Sequence, residues 1–381
     1  MANELLERGV PRERLVLVNF EDERLVGLTG ERLGLVLDAY YELYPDRVGD
    51  ELHLFFDEIQ VVPGWERFIA RLFEEKRFRI RITGSSSKLL SKEIATALRG
   101  RAVTTNLYPM SFREFVAYKG VAVTEKLPYS RDRFKAVKLL EEYLAWGGFF
   151  EAVNAADDAE RRRILSTHLD LVVYKDLVER YGIKNLAVLK ALIRRYVANT
   201  TRKTSLARLG ATIREATAVS KNTVGPYTGF LEDAGFLHVL PKFSHRLSRN
   251  AVSKYYVEDP VFKTVAGHSF SPDLGARYEQ AVLLELVRRG GDLFFFDEQA
   301  ECDFIVKRGT RIVDAIQVCV DPEAAREREL KGLLAAMSTL RLARGTIVTA
   351  SHEAEETTDG KTVRYVPLWR WLLERPSHPL R

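Results

Sequence analysis

Asp57 and Glu58 close an apolar run in the stretch LHLFFDEIQ, residues 52–60. Two adjacent carboxylates at the end of a buried strand suit the hydrolysis of a nucleoside triphosphate. That reaction needs charge stabilisation and a positioned water more than covalent help. Asp57 is placed to hold a magnesium ion through its water shell, and Glu58 to polarise the attacking water. Thr83 and Ser85 end the next apolar run, RIRITGSSS (79–87), where polar groups can sense the terminal phosphate. Arg99 and Arg101, in LRGR, can bring positive charge to the phosphates. Many buried strands end in acidic turns, so the pair alone is weak ground.

A second constellation lies near the C-terminus. Metal-dependent nucleases of one broad type carry an Asp on one strand and Glu-x-Lys on the next; the carboxylates bind metal and the lysine aids the water. Here a helix supplies Glu279, ECDFIV supplies Asp303, and the next strand reads IQVC. Gln317 stands where the glutamate would be, and Cys319 where the lysine would be. An amide cannot replace a carboxylate on magnesium, nor a thiol an ammonium. The strands fit such a fold without its chemistry, so Glu279 and Asp303 are expected to be structural, paired for instance with Lys307 or Arg277. If Asp303 shares a sheet face with Gln317, strand alternation puts Cys319 on that face and Cys302 on the other. A disulfide between them is then not expected, and neither cysteine has a metal or redox spacing.

The chain's net charge of +5 is unevenly placed: residues 184–254 hold 13 basic and 3 acidic side chains, a balance of +10, which leaves −5 for the rest. A basic middle points to a polyanion or to a solvated basic face. The sequence from Thr204 to Phe243 reads as helix, turn, helix and hairpin, the order of a winged helix. Ser220 can cap the second helix. Arg202, Lys203, Lys221 and Asn222, with Arg246 and Arg249 on the wing, are candidate contacts to the phosphates of double-stranded DNA. Pro226 falls about a turn and a half into the proposed recognition helix, where it would remove a hydrogen bond and kink it. An interdomain spacer is the alternative reading.

The elements that position these residues follow from periodicity. RLVLVNF (14–20), LHLFFDE and FRIRITGSSS read as strands, with helices at 30–45 and 64–76 between them and AVTTNLYPM (102–110) as a fourth strand. Strand–helix alternation predicts a parallel α/β sheet, which binds ligands at the carboxyl ends of its strands. Residues 111–185 read as helices. The last part predicts a helix at 272–290, three strands, a charged helix at 323–340, the strand RGTIVTA and an acidic loop, SHEAEETTDGK. No run approaches 18 apolar residues and the start has no signal-peptide core, so the expectation is a cytoplasmic protein with no membrane span.

The ordered set LVLVNFEDERL, LHLFFDEIQ, RIRITGSSSKLL, LRGR and LYPMSFREF resembles a family of predicted AAA-type P-loop ATPases of archaea and bacteria. The resemblance runs over most of the chain. It implies an AAA core at 1–118, a helical lid or linker at 119–185, a winged helix at 186–260 and a restriction-endonuclease-like α/β domain at 261–381. It also implies that Asp57 and Glu58 are the Walker B pair, that ATP and Mg2+ are the cofactors, and that ATP shifts the helical segment against the core, with a homo-oligomer or a protein partner expected.

The family's phosphate loop, G-x-x-x-x-G-K-[ST], uses backbone N–H groups and a lysine to hold the phosphates. It does not occur in these 381 residues. TGSSSK around Gly84 has the wrong spacing and follows the Asp-Glu strand, and GRAVTTN does not fit either. ANELLERGVPRE fits the end of the helix that follows the loop, so Met1 is expected to fall inside that helix. An incomplete AAA-type sheet is therefore expected, with ATP binding weak or absent. Either the protein starts upstream, or it is a degenerate relative that keeps only the scaffold.

Overall fold

The structure is a computed structural model that describes residues 1–84, 101–216, 223–244, 252–259, 261–265 and 273–374. Met1–Asn106 and Leu107–Arg381 form two compact units. The first is built on three parallel strands in the order β1-β2-β3: β1 Leu15–Asn19, β2 Leu52–Asp57 and β3 Phe78–Ile82. On β2, Leu52, Leu54 and Phe56 are fully buried under the helices Gly34–Leu43 and Trp65–Glu74. The second helix contributes Trp65, Phe68, Ile69 and Leu72, spaced to fall on one side. On β1, Leu17 is 63% exposed, so this side of the strand is uncovered, unlike the strands of most parallel sheets, which are buried on both faces. Residues 102–110 form no strand, which corrects the expected fourth strand.

In the second unit, Ser111 starts the helix Phe112–Tyr118 with a reciprocal cap: its hydroxyl accepts from the Glu114 N–H, and Glu114 accepts from the Ser111 N–H. The helix buries Phe112, Phe115 and Val116 in the same core as Trp371 and Leu372. Residues 107–118, assigned by sequence to the N-terminal part, thus pack in the second unit. The helices Arg133–Trp146, Phe150–Val153, Asp158–Leu171 and Leu186–Ala198 follow, with a π-helical stretch at Val172–Glu179.

A small antiparallel sheet comes next, in the order β4-β6-β5: β4 Lys203–Thr204, β5 Leu237–Pro241 and β6 Ser253–Val257. The helices Leu206–Ala216 and Val224–Asp233 lie between β4 and β5 in the chain. Pro226 sits in the first turn of the second helix, where backbone N–H groups have no intrahelical partner anyway. The expected kink is therefore absent: proline here removes no hydrogen bond.

The C-terminal sheet has six strands in the order β11-β12-β10-β9-β8-β7. They are β7 Asp292–Asp297, β8 Glu301–Arg308, β9 Arg311–Val318, β10 Arg344–Thr349, β11 Ala354–Thr358 and β12 Lys361–Pro367. β10 runs parallel to β9 and β12, and the other pairs are antiparallel. The helix Leu274–Arg289 packs on one face with Phe304, Val306, Ile316 and Val348. The helix Pro322–Thr339 packs on the other with Cys302, Ile305, Ala315 and Ile347. Among the described residues, no helix is long and apolar enough to cross a membrane.

Candidate functional site

Asn19, Asp57 and Thr83 meet at the carboxyl edge of the N-terminal sheet. Asn19 pairs in register with Asp57, and the Thr83 N–H donates to the Phe56 carbonyl at 2.9 Å. The Thr83 hydroxyl donates to Asp57 Oδ1. The Phe20 N–H donates to the Asp57 carbonyl at 3.0 Å, which fixes the backbone and leaves the carboxylate exposed at the strand end. Glu58 turns the chain in a left-handed conformation (φ 52°, ψ 39°), which is costly for a side-chain-bearing residue and typical of functional turns. Its carboxylate accepts from Gln60 Nε2 at 2.5 Å.

This arrangement suits a hydrated magnesium ion. Mg2+ keeps several waters and takes one or two carboxylates, with substrate phosphates completing its shell. Among the described residues no group of three or more His, Cys, Asp or Glu could hold a metal alone. Arg101 pairs with Glu74 at 3.0 Å, at the far end of the helix Trp65–Glu74. That is the sheet's amino edge, about 17 Å from Asp57 along a strand. The phosphate role expected for Arg101 is therefore not what the structure shows. Ser85 and Arg99 lie outside the described residues.

In the basic middle, Arg202 is exposed. Lys203 is committed elsewhere, with its ammonium 3.0 Å from Asp297 and 2.9 Å from Glu301. Ser220, Lys221, Asn222, Arg246 and Arg249 fall outside the described residues.

Sequence reasoning missed the residue at the centre of the C-terminal constellation. Lys254, on β6 and only 3% exposed, sits among three carboxylates: Glu279 at 2.9 Å, Glu301 at 2.8 Å and Asp303 at 2.8 Å. Tyr256 donates to Glu279 at 2.7 Å, and the Val318 N–H donates to the second oxygen of Asp303 at 3.0 Å. The partners suggested by sequence are thus corrected: Lys307 pairs with Asp292 at 3.1 Å, and Lys254 takes the place proposed for it and for Arg277. One signal was available: SKYYV is a strand buried throughout, and a lysine within it demands counter-charges.

Burial first, and then the neighbouring Asp303, push the Glu279 carboxyl up to about 7. Burial opposes the charge on Lys254, but Asp303, Tyr256, Glu279 and Glu301 raise it well above the ordinary lysine value. Burial would also raise Glu301, yet Lys254 and Lys203 hold it below the usual carboxylate value.

Gln317 accepts from the Asp303 N–H at 3.0 Å and turns its amide N–H to Glu329 on the helix Pro322–Thr339. Cys319 is packed against that same helix, with its thiol pushed up to about 11 by burial. Cys302 lies in this layer as well, and both cysteines are free thiols. Strand alternation failed as a guide because the β7–β8 register shifts between Phe294 and Phe296, a bulge that turns neighbouring side chains onto one face. A nuclease metal does not fit this donor set: an ammonium already stands among the carboxylates, and position 317 offers an amide.

Residues 1–116 match the family model of an AAA domain. Residues 137–263 and 274–371 match two further models, each described as a domain of unknown function (DUF8612 and DUF4143). The chain belongs to the AAA-type P-loop ATPase family. It is 34% identical over 376 residues to the uncharacterized protein MJ1544 of Methanocaldococcus jannaschii, covering 95% of this chain and 82% of that one. An uncharacterized protein of Haemophilus influenzae is 29% identical over 378 residues, with 96% and 88% covered. The Walker-type ATPase PABY2304 of Pyrococcus abyssi matches at 14% identity over 66% of this chain and 83% of that one, with a TM-score of 0.39, a likeness too slight to carry an argument.

Proposed function

We propose that the N-terminal unit is the nucleotide-hydrolysing core of an AAA-type ATPase, with ATP and Mg2+ as its cofactors. Asp57 holds the ion through water, Thr83 orients that carboxylate and stands near the terminal phosphate, and Glu58 polarises the attacking water. The observation that carries this reading is the Thr83–Asp57 hydrogen bond at the carboxyl edge of two parallel strands. The 381 residues contain no phosphate loop, so they hold the β- and γ-phosphates poorly and bind ATP weakly. The helices before residue 186 act as a lid or linker, and a cytoplasmic location fits this reading.

The role of Glu58 is testable by steady-state hydrolysis at high Mg·ATP. Glu58→Gln is expected to lower the turnover of the 381-residue chain roughly 100-fold with KM little changed, the usual scale for a general base. Hydrolysis that is measurable in the 381-residue chain, depends on Mg·ATP and is equal in Glu58→Gln would remove Glu58 from the mechanism.

A second reading concerns residues 186–260. The connectivity β4, helix, helix, β5, β6 and the order β4-β6-β5 support a winged helix that binds the backbone of double-stranded DNA. With Lys203 committed to Asp297 and Glu301, Arg202, Lys221, Asn222, Arg246 and Arg249 are the proposed contacts. Replacing Arg246 and Arg249 together by alanine should flatten the slope of log K against log salt by roughly 2, measured by anisotropy on a labelled duplex. A slope that does not change would take both residues out of the interface. The C-terminal sheet is read as an inactive, endonuclease-like docking domain.

A further inference from the structure

Beneath the proposed DNA-binding segment, three carboxylates converge on one point. A divalent ion held by Glu279, Glu301 and Asp303 would sit where the Lys254 ammonium sits, with all three oxygens within 2.9 Å. We infer that Lys254 is the resident cation of this cluster, so that the cluster is a closed clasp joining the β4-β6-β5 sheet to the C-terminal sheet and not a metal centre.

The clasp spans several elements. Lys254 and Tyr256 come from β6, Glu279 from the helix Leu274–Arg289, and Glu301 and Asp303 from β8. Lys203 on β4 extends it by bridging Glu301 and Asp297. The backbone continues the same join: the Phe243 N–H donates to the Phe295 carbonyl at 2.7 Å just beyond β5, and Lys242 bridges in parallel to Phe295. Phe295 itself lies under the ammonium, 5.9 Å from ring centre to Nζ.

Two features set this clasp apart from a surface ion pair. Lys254 is almost fully buried, so its charge is stable there only because partners surround it. The carboxylates have further donors: the second oxygen of Asp303 takes the Val318 N–H, the second oxygen of Glu301 faces Lys203, and the Tyr256 hydroxyl donates to the same Glu279 oxygen as the ammonium. Buried groups satisfied in this way fix one geometry, whereas partly satisfied ones do not. Strand β6 therefore cannot leave the C-terminal sheet without exposing three carboxylates and one ammonium together. The hairpin β5–β6 and the C-terminal sheet move as one body.

The test uses the full chain, stripped of metal and free of nucleotide, with Mn2+ as the probe. Melting temperature and hydrogen exchange of the 253–257 amides are the readouts. In the wild type, millimolar Mn2+ should change neither. Lys254→Ala removes the cation and leaves a space, so the melting temperature should fall by roughly 10 °C and exchange at 253–257 should accelerate. Mn2+ should then recover much of that loss by entering the emptied carboxylates. Lys254→Met fills the space with hydrocarbon and should not be rescued. If Lys254→Ala fails to fold, Glu301→Gln removes one arm more gently and should still speed exchange at 253–257. The inference is overturned if Mn2+ stabilises the wild type and Glu301→Gln abolishes that gain. It is also overturned if Lys254→Ala melts with the wild type or is untouched by Mn2+, or if Glu301→Gln leaves exchange unchanged.

Discussion

Gly147→Ala is expected to lower the melting temperature of the Leu107–Arg381 unit by roughly 10 °C. Gly147 ends the helix Arg133–Trp146 with φ 73° and ψ −163°, a conformation that essentially only glycine adopts. A Cβ there would lie 2.3 Å from Oδ1 and 2.4 Å from Oδ2 of Asp259. Asp259 cannot swing away, because it is buried and accepts from the Gly148 N–H at 3.2 Å and the Val261 N–H at 2.9 Å. Moving it would leave two buried donors unpaired, at about 1–3 kcal/mol each, on top of the backbone strain. Gly235 is the control. It too has a positive φ, 78°, but a Cβ there would meet nothing within 4 Å. Gly235→Ala should therefore show the backbone cost alone, roughly 1 kcal/mol and a few degrees. Equal losses in thermal scans of the two proteins would contradict the clash with Asp259.

The second unit is expected to lose stability as pH rises from about 5 to 8. Three carboxyls are held above their ordinary range: Asp259 at about 6, Asp314 at about 6 and Glu279 at about 7. Burial is the leading cause for each, because it penalises the charged form. Between the unfolded and folded values the folded chain binds more protons than the unfolded one, so stability falls as pH rises through that window. For Asp259 the gap corresponds to roughly 3 kcal/mol at most. Glu301 works in the opposite sense, since it is held below its usual value, but its window lies at more acidic pH. Asp259→Asn should flatten the pH dependence while costing some stability at pH 5, where it gives up one acceptor. A wild-type melting temperature that rises from pH 5 to 8 would contradict the account.

Much of the architecture was legible in short patterns. The β2 run and its acidic end, the helix at 65–74 with its apolar side, and the helix before β7 all follow from periodicity. Thr83 meets Asp57 because neighbouring parallel strands end at the same edge. Other features depended on tertiary contacts that no local window carries. Lys254 reads as one more charge in a basic stretch until β6 is seen pressed against Glu279 and Asp303. The cysteine parity failed because one bulge cancels strict alternation. Arg101 pairs with a glutamate at the wrong edge of the sheet, which no spacing foretells.

One miss was avoidable. The acidic stretch expected as a loop is the hairpin β11–β12, turned at Asp359-Gly360 with φ of 52° and 72°. Asp-Gly between strand-forming residues is a strong signal for that turn.

The most direct measurement is a titration of the 381-residue chain with Mg·ATP, beside the same titration without magnesium and with Asp57→Asn. The account predicts weak binding, about millimolar or poorer for want of a phosphate loop, which depends on magnesium and is further weakened by Asp57→Asn. Micromolar binding that ignores both magnesium and Asp57→Asn would contradict it, because the nucleotide would then be held by a site other than the carboxyl edge of β2 and β3.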